Sequence, residues 1–271
     1  MTDGTLVDES APKARPGMGE RLRTPVGRLT VIVLVMTVVL VIFGVWWVSV
    51  SLPTTASNTM KAVKDTMLVF SIAAAPVMAL VWGVAYFSLR QKRHGGDEPP
   101  EDGPPIRGNN RVVLLWVLIS SLLTLFLLIW GLAELTATSA TADSPLVVEV
   151  TGQQWVWTFK YPDNGGVSTA DLVLPADRPV LFKVTSNDVI HSFWLPEMGI
   201  KVDANPGIET DTATTPTLLG TFNVRCAELC GLNHSYMQTT ARVVESSDFD
   251  AWVKSQGGTP GQVVPAEASN G

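Results

Sequence analysis

Cys226 to Met237 reads C-A-E-L-C-G-L-N-H-S-Y-M, so two thiols, an imidazole and a thioether fall within twelve residues of a 271-residue chain. Thiolate and thioether are soft ligands that suit copper, imidazole is shared among several metals, and a Met among the ligands argues against zinc. A second histidine, His191 in D-V-I-H-S-F-W, lies upstream in a run with strand character. The chain has only two Cys and three His, and the remaining His94 sits in a polar segment far away in sequence. All the cysteine and two of the three histidines therefore fall in candidate metal segments. Two other readings of the same residues stay open. Cys226 and Cys230 could pair as a disulfide in an oxidising compartment. A C-x3-C followed by His could hold zinc, which would still need a fourth ligand and would leave Met237 unexplained.

The pattern C-x-E-x-C-G-x-N-H-S-x-M, preceded by D-V-x-H-S and by G-x-Q-W-x-W, resembles subunit II of haem-copper cytochrome c oxidase over roughly residues 60–255. The resemblance implies a binuclear copper centre in which Cys226 and Cys230 bridge, His191 and His234 each cap one copper, and Met237 and the backbone carbonyl of Glu228 are weak axial ligands. It implies that the Glu228 carboxylate serves instead a magnesium or manganese ion shared with the catalytic subunit. It implies electron transfer rather than bond making, because every metal position is taken by protein. Trp155, the first Trp of Q-W-x-W, would be exposed above the copper and would accept the electron from cytochrome c, with Trp157 packed beneath it. The implied partners are catalytic subunit I, other oxidase subunits and a cytochrome c or other c-type haem donor, with no nucleic acid. In that family the complex reduces oxygen to water and pumps protons; this chain alone would not consume oxygen.

Elements that hold such a loop come in two kinds. Leu29 to Val50 is 22 residues without a charge, and Met67 to Leu89 and Val112 to Leu132 are further apolar runs. Each exceeds the roughly 18 residues that mark a membrane-spanning helix, and Pro76 within the second is tolerable there. Basic residues mark the cytoplasmic side: Lys13, Arg15, Arg21, Arg23 and Arg28 precede the first run, and Arg90, Lys92, Arg93, Arg107 and Arg111 lie between the second and third. The expected organisation is a cytoplasmic segment 1–28, a first membrane helix 29–50, a second 67–89, a cytoplasmic loop 90–111, a third helix 112–132, a copper domain 140–256 and a disordered tail 257–271. The first run reads either as a retained anchor or as a secretory signal ending near Thr55 and Ala56. The second and third form the two-helix hairpin that the resemblance implies. The protein is thus expected in the plasma membrane, multi-pass, with its copper domain on the extracytoplasmic side.

After the third run the period changes. Leu146 to Tyr161, Asp171 to Leu174, Val180 to Ser186, Thr221 to Arg225 and Gln238 to Val244 read as short strands split by Pro, Gly and Asn. They predict a β-sandwich or barrel, and the arrangement of His191 against the later loop is similar to cupredoxins. The fold class expected is membrane-anchored α+β, with N-terminal helices followed by a cupredoxin-like domain. On a strand, Trp155, Trp157, Phe159 and Tyr161 share parity, a stripe that serves sheet packing as readily as function. Trp194 beside His191 is expected to shield the metal from water.

Residues 133–271 carry 16 Asp and Glu against 7 Lys and Arg, whereas residues 1–132 carry 12 basic against 9 acidic. An acidic exported half favours a cationic partner and equally serves solubility. The chain has no C-x-x-C-H motif, so the expected electron donor is a separate protein or a haem carried by a partner. Two positions depart from the family pattern. Val113 stands where many members have a Glu at the mouth of a proton channel, so proton uptake would use another residue or subunit. Ile208 follows Asp203-Ala204-Asn205-Pro206-Gly207 where an Arg is frequent. A quinol-oxidase subunit II would lack the ligands present here, and a nitrous oxide reductase would need a further propeller domain. A copper-delivery protein would use exchangeable open ligation.

Overall fold

The computed structural model describes residues 18–90, 108–139 and 144–261. Lys13, Arg15, Lys92, Arg93, His94 and Arg107 lie outside the described residues, as does the tail from residue 262. An apolar stretch in lipid must satisfy its backbone internally. Among the described residues this is done by three long helices, α2 (Pro25–Ser51), α3 (Asn58–Arg90) and α4 (Asn110–Ser139), after a short α1 (Met18–Arg23). All three are long and apolar enough to cross a membrane. At 1.5 Å per residue they span about 40–50 Å, more than the ~30 Å of hydrocarbon, so they continue into charged flanks. Pro76 lies inside α3 without ending it. Hydroxyls in these apolar surroundings donate back to the preceding turn, as Thr37 does to Val33 O (2.8 Å) and Thr124 to Ser120 O (2.8 Å).

Two compact units divide the chain. The first holds α2 up to Trp46 and α3 from Ser71; there a Cβ on Gly83 would come within 2.8 Å of the Val33 side chain, so glycine sets how closely the helices pass. The second runs from Trp47 to Phe70 and from Asn109 onward, and contains the β domain.

Among the described residues, ten strands build two five-stranded sheets. In chain order they are β1 (Leu146–Gln153), β2 (Val156–Tyr161), β3 (Val167–Thr169), β4 (Leu172–Pro175), β5 (Val180–Ser186), β6 (His191–Leu195), β7 (Ile200–Ala204), β8 (Thr210–Thr214), β9 (Gly220–Cys226) and β10 (Gln238–Val244). One sheet has the order β3-β2-β1-β5-β8 and the other β4-β10-β9-β6-β7. Alternation drives them together: in β1 the inward Leu146, Val148 and Val150 are fully buried, and β2 turns Trp157, Phe159 and Tyr161 inward. Phe193 of β6 joins the sheets, its ring 5.4 Å from Phe182, 5.5 Å from Trp157 and 6.1 Å from Phe159. This is a cupredoxin-like sandwich of two packed layers.

Three features extend the reading from sequence. The link after α2 is docked rather than loose: Ala56 is fully buried, its N–H on Glu197 O (2.9 Å) and its carbonyl receiving Thr217 N–H (2.9 Å). Ser57 donates to Met198 O (2.8 Å) while its Oγ accepts Met60 N–H (3.0 Å), which caps α3. Gly199, at φ +66°, admits this helix end, since a Cβ would stand 2.9 Å from Met60 Cα. Helix α5 (Ser246–Ser255) follows β10 and buries Phe249 and Val253. The chain stays packed beyond 257: Gly257 and Gly258 close α5 through Lys254 O and Val253 O, and a Cβ on Gly165 would sit 3.0 Å from Thr259 N. The expected disordered segment 257–271 therefore has an ordered beginning through Gly261, because these residues pack on the turn at Asp163–Gly165.

Candidate metal centre

The loop 226–237 joins β9 to β10, and antiparallel pairing pins its ends. Gln238 lies opposite Arg225, and Cys226 N–H donates to Met237 O at 3.0 Å. Strand β6 runs beside β9 with Phe193 opposite Cys226, so His191, two residues away on the same face, lies over the first cysteine. Gly152 makes room for the imidazole: a Cβ there would meet the His191 ring at 3.0 Å. Among the described residues, His191, Cys226 and Cys230 bring their ligand atoms within 4.8 Å of one another.

Distances resolve the rest. The two sulfurs are 3.8 Å apart and both cysteines are free, which excludes a bond between them in this state. Cys226 Sγ is 3.8 Å from His191 Nδ1 and 3.2 Å from the Glu228 carbonyl oxygen. Cys230 Sγ is 3.5 Å from His234 Nδ1 and 3.7 Å from Met237 Sδ. The six residues singled out from sequence thus converge, Glu228 through its backbone while its side chain is exposed. His191 is fully buried and His234 lies nearer the surface. Burial, and the Cys226 thiol beside it, push the Cys230 thiol above its ordinary range, so metal binding here releases a proton. The donor set of two sulfurs, two imidazoles, a thioether and a carbonyl fits copper.

Two residues that sequence reasoning did not single out complete the surroundings. Asp188 Oδ1 is 2.8 Å from His191 Nε2 and 2.7 Å from Val189 N, and Oδ2 accepts Gln154 N–H at 2.7 Å. Desolvation works to raise this carboxyl, but the hydrogen bonds from Gln154, His191 and Val189 outweigh it and hold the group down at about 2. An ionised acceptor at Nε2 fixes the proton there and leaves the Nδ1 lone pair facing the sulfur. The signal for Asp188 is its place in D-V-x-H. Gln154 donates its side-chain amide to Cys230 O at 2.7 Å.

The aromatic residues are placed differently from the reading of a single strand. Trp155 is in the two-residue turn between β1 and β2, half-buried, because the strand ends at Gln153 and pairing resumes at Val156. Its ring lies where a Cβ on Gly231 would touch it at 3.4 Å. Trp157 packs edge-on to His191, ring centroids 6.0 Å apart. Trp194 does not cover the site: it has the opposite parity to His191 along β6, so it faces the other side of the sheet. Leu229, Leu232 and Tyr236 on the loop are strongly exposed.

Fold and site together define a membrane-anchored cupredoxin-type domain with a His/Cys cluster suited to copper. Residues 167–245 match the family model "Cytochrome C oxidase subunit II, periplasmic domain", a segment that includes every ligand candidate but not Trp155. Cytochrome c oxidase subunit 2 of Thermostichus vulcanus is 30% identical over 255 residues, covering 74% of this chain and 77% of that one. Subunit 2 of Alkalihalophilus pseudofirmus is 30% identical over 198 residues, 70% of this chain and 57% of that relative's length. The crystal structure of the periplasmic domain of subunit II of cytochrome oxidase (CoxB) of Bradyrhizobium japonicum is similar with a TM-score of 0.42 and 34% identity, covering 44% of this chain and 97% of that one. The chain belongs to the cytochrome c oxidase subunit II family.

Proposed function

We propose that this chain is the electron-accepting subunit of a haem-copper terminal oxidase, holding a binuclear copper centre between Cys226 and Cys230. The observation that carries the reading is that each thiol has its own imidazole. His191 Nδ1 lies beside Cys226, and His234 Nδ1 lies beside Cys230 but outside the compact His191–Cys226–Cys230 group. Two half-sites that share a pair of sulfurs suit two metal positions better than one. Copper bound there would supply one-electron redox chemistry. Cys226, Cys230, His191 and His234 would hold it, with Met237 Sδ and the Glu228 carbonyl as weaker donors. Strand pairing on both sides of the loop keeps these donors fixed, the condition for electron transfer with little rearrangement.

In this reading Trp155 accepts electrons from a cytochrome c or another c-type haem donor, and they pass to the haem of a catalytic subunit, where oxygen is reduced and protons are pumped. The exposed Glu228 carboxylate is free to serve a magnesium or manganese ion shared with that subunit. The basic flanks, Arg23 and Arg28 before the first apolar run and Arg90 and Arg111 around the connector, support a cytoplasmic location for those ends and an extracytoplasmic copper domain. The plasma membrane is the proposed location. A mononuclear zinc site is disfavoured by the separate placement of His234 and by the thioether.

The test is electron paramagnetic resonance of the full chain in detergent, loaded with copper. Hyperfine splitting by two equivalent copper nuclei is expected. Splitting by a single nucleus, or a silent spectrum, would overturn the reading.

A further inference from the structure

The turn that carries Trp155 is tied to both halves of the metal centre by the residue before it. Gln154 gives its side-chain amide to the Cys230 carbonyl at 2.7 Å and its backbone N–H to Asp188 Oδ2 at 2.7 Å, and Asp188 Oδ1 in turn holds His191 Nε2 at 2.8 Å. One residue therefore reaches the second cysteine directly and the first histidine through a carboxylate. Gly231, at φ +120°, is what lets the turn approach: a Cβ there would stand 2.9 Å from Gln154 Nε2 and 3.4 Å from the Trp155 indole. The Trp155 indole N–H has no acceptor among the described residues. The ring rests on the loop by packing, and the Gln154 amide is the directional bond from this turn to the loop among the described residues.

We infer that Gln154 is a positioning residue: its amide fixes the Cys230 peptide, and so the Cys230 and His234 half of the centre, relative to the turn through which electrons are proposed to arrive. The inference rests on the proposed copper reading for its functional meaning, while the bond itself is a property of the metal-free chain. An apolar side chain of the same length would leave the Cys230 carbonyl without this donor and let the outer half of the loop move, while Asp188 keeps its backbone contact to residue 154. Oxidation state and ligand identity do not change; what changes is how firmly one sulfur is held.

Two substitutions separate the hydrogen bond from mere bulk. Gln154→Met keeps length and removes the donor; Gln154→Lys restores a donor that can reach the carbonyl. In the full chain in detergent without metal, alkylation mapped by peptide mass spectrometry should label Cys230 about two- to tenfold faster in Q154M than in the unsubstituted protein, the range one hydrogen bond supplies. Q154K should return towards the original rate, and Cys226 should change little. With copper loaded, Q154M should retain the metal but render the two copper hyperfine couplings unequal. Equal Cys230 labelling in all three proteins would overturn the inference. So would a Q154K protein that behaves like Q154M, or a Q154M protein whose metal-free melting temperature collapses and whose two cysteines become equally reactive. If the unsubstituted protein showed no coupled copper pair, the proposed function would fall, and the labelling comparison would still decide the role of Gln154.

Discussion

Asp188→Asn exchanges one acceptor oxygen for a donor in a place where acceptors alone are wanted. Oδ2 receives Gln154 N–H and Oδ1 receives Val189 N–H and faces His191 Nε2. Whichever way the amide turns, its NH2 meets an N–H. Turned one way it orphans Gln154; turned the other it repels the His191 proton and favours the tautomer that blocks Nδ1. Hydrogen bonds to a charged group contribute about 1.5–3 kcal/mol. At ~1.4 kcal/mol per tenfold that is a factor of about 10–150 in copper affinity, and outer-sphere substitutions at metal sites commonly cost ~10–100-fold. The Asp188 side chain is 27% exposed, so water can replace part of what is lost, and the effect belongs at the lower end, about tenfold. Competition with a chromophoric copper chelator, using the full chain in detergent at neutral pH, reads this directly. A D188N protein within twofold of the original affinity would refute the argument that this carboxylate sets the His191 tautomer.

Two other outcomes follow from buried contacts. Tyr161 Oη donates to Val173 O and accepts Val173 N–H, both at 2.9 Å, in the fully buried core, and burial holds the phenol well above its ordinary range so that it remains a donor across the pH range of the fold. Tyr161→Phe orphans two backbone groups at about 1–3 kcal/mol each, so thermal unfolding should drop by about 8–24 °C at ~4 °C per kcal/mol for a domain of this size, with the copper spectrum unchanged. For Trp155→Phe, the electron-accepting reading expects copper stoichiometry and hyperfine pattern to persist while stopped-flow reduction by a cytochrome c slows by about tenfold or more, equivalent to ~1.4 kcal/mol of barrier; an unchanged rate would assign this ring to packing alone.

Legibility follows physical strength of signal. The apolar runs announce α2 to α4 because lipid demands uninterrupted hydrophobicity, and the ligand spacing announces the loop because few residue types bind soft metal. Strands β3 and β8 are silent: Val167–Thr169 is three residues, and T-D-T-A-T alternates with almost no apolar contrast at a sheet edge. Helix α5 leaves a readable trace in Phe249, Trp252 and Val253 at helical spacing after Ser246-Ser247-Asp248, a trace outweighed by the Gly-rich sequence that follows. Parity alone places Trp155 on a strand, and the two-residue turn between Gln153 and Val156 interrupts that parity. Asp188 and Gln154 act through contacts 34 and 76 residues apart in sequence, which composition and periodicity do not register.

The docked link between α2 and α3 turns a question of sequence into one of timing. Ser57 is bonded to a partner 141 residues downstream, and Ala56 to partners at 197 and 217. At a synthesis rate of about 5–20 residues per second, the Ala56–Ser57 peptide waits ~7–30 s before its seat exists. A peptidase that recognised the small residues at this point would have at least that interval, until the β domain folds, because in the folded chain Ala56 is fully buried and its backbone groups are occupied. Once the β domain has folded, the peptide after the first helix is a bond that the fold itself protects.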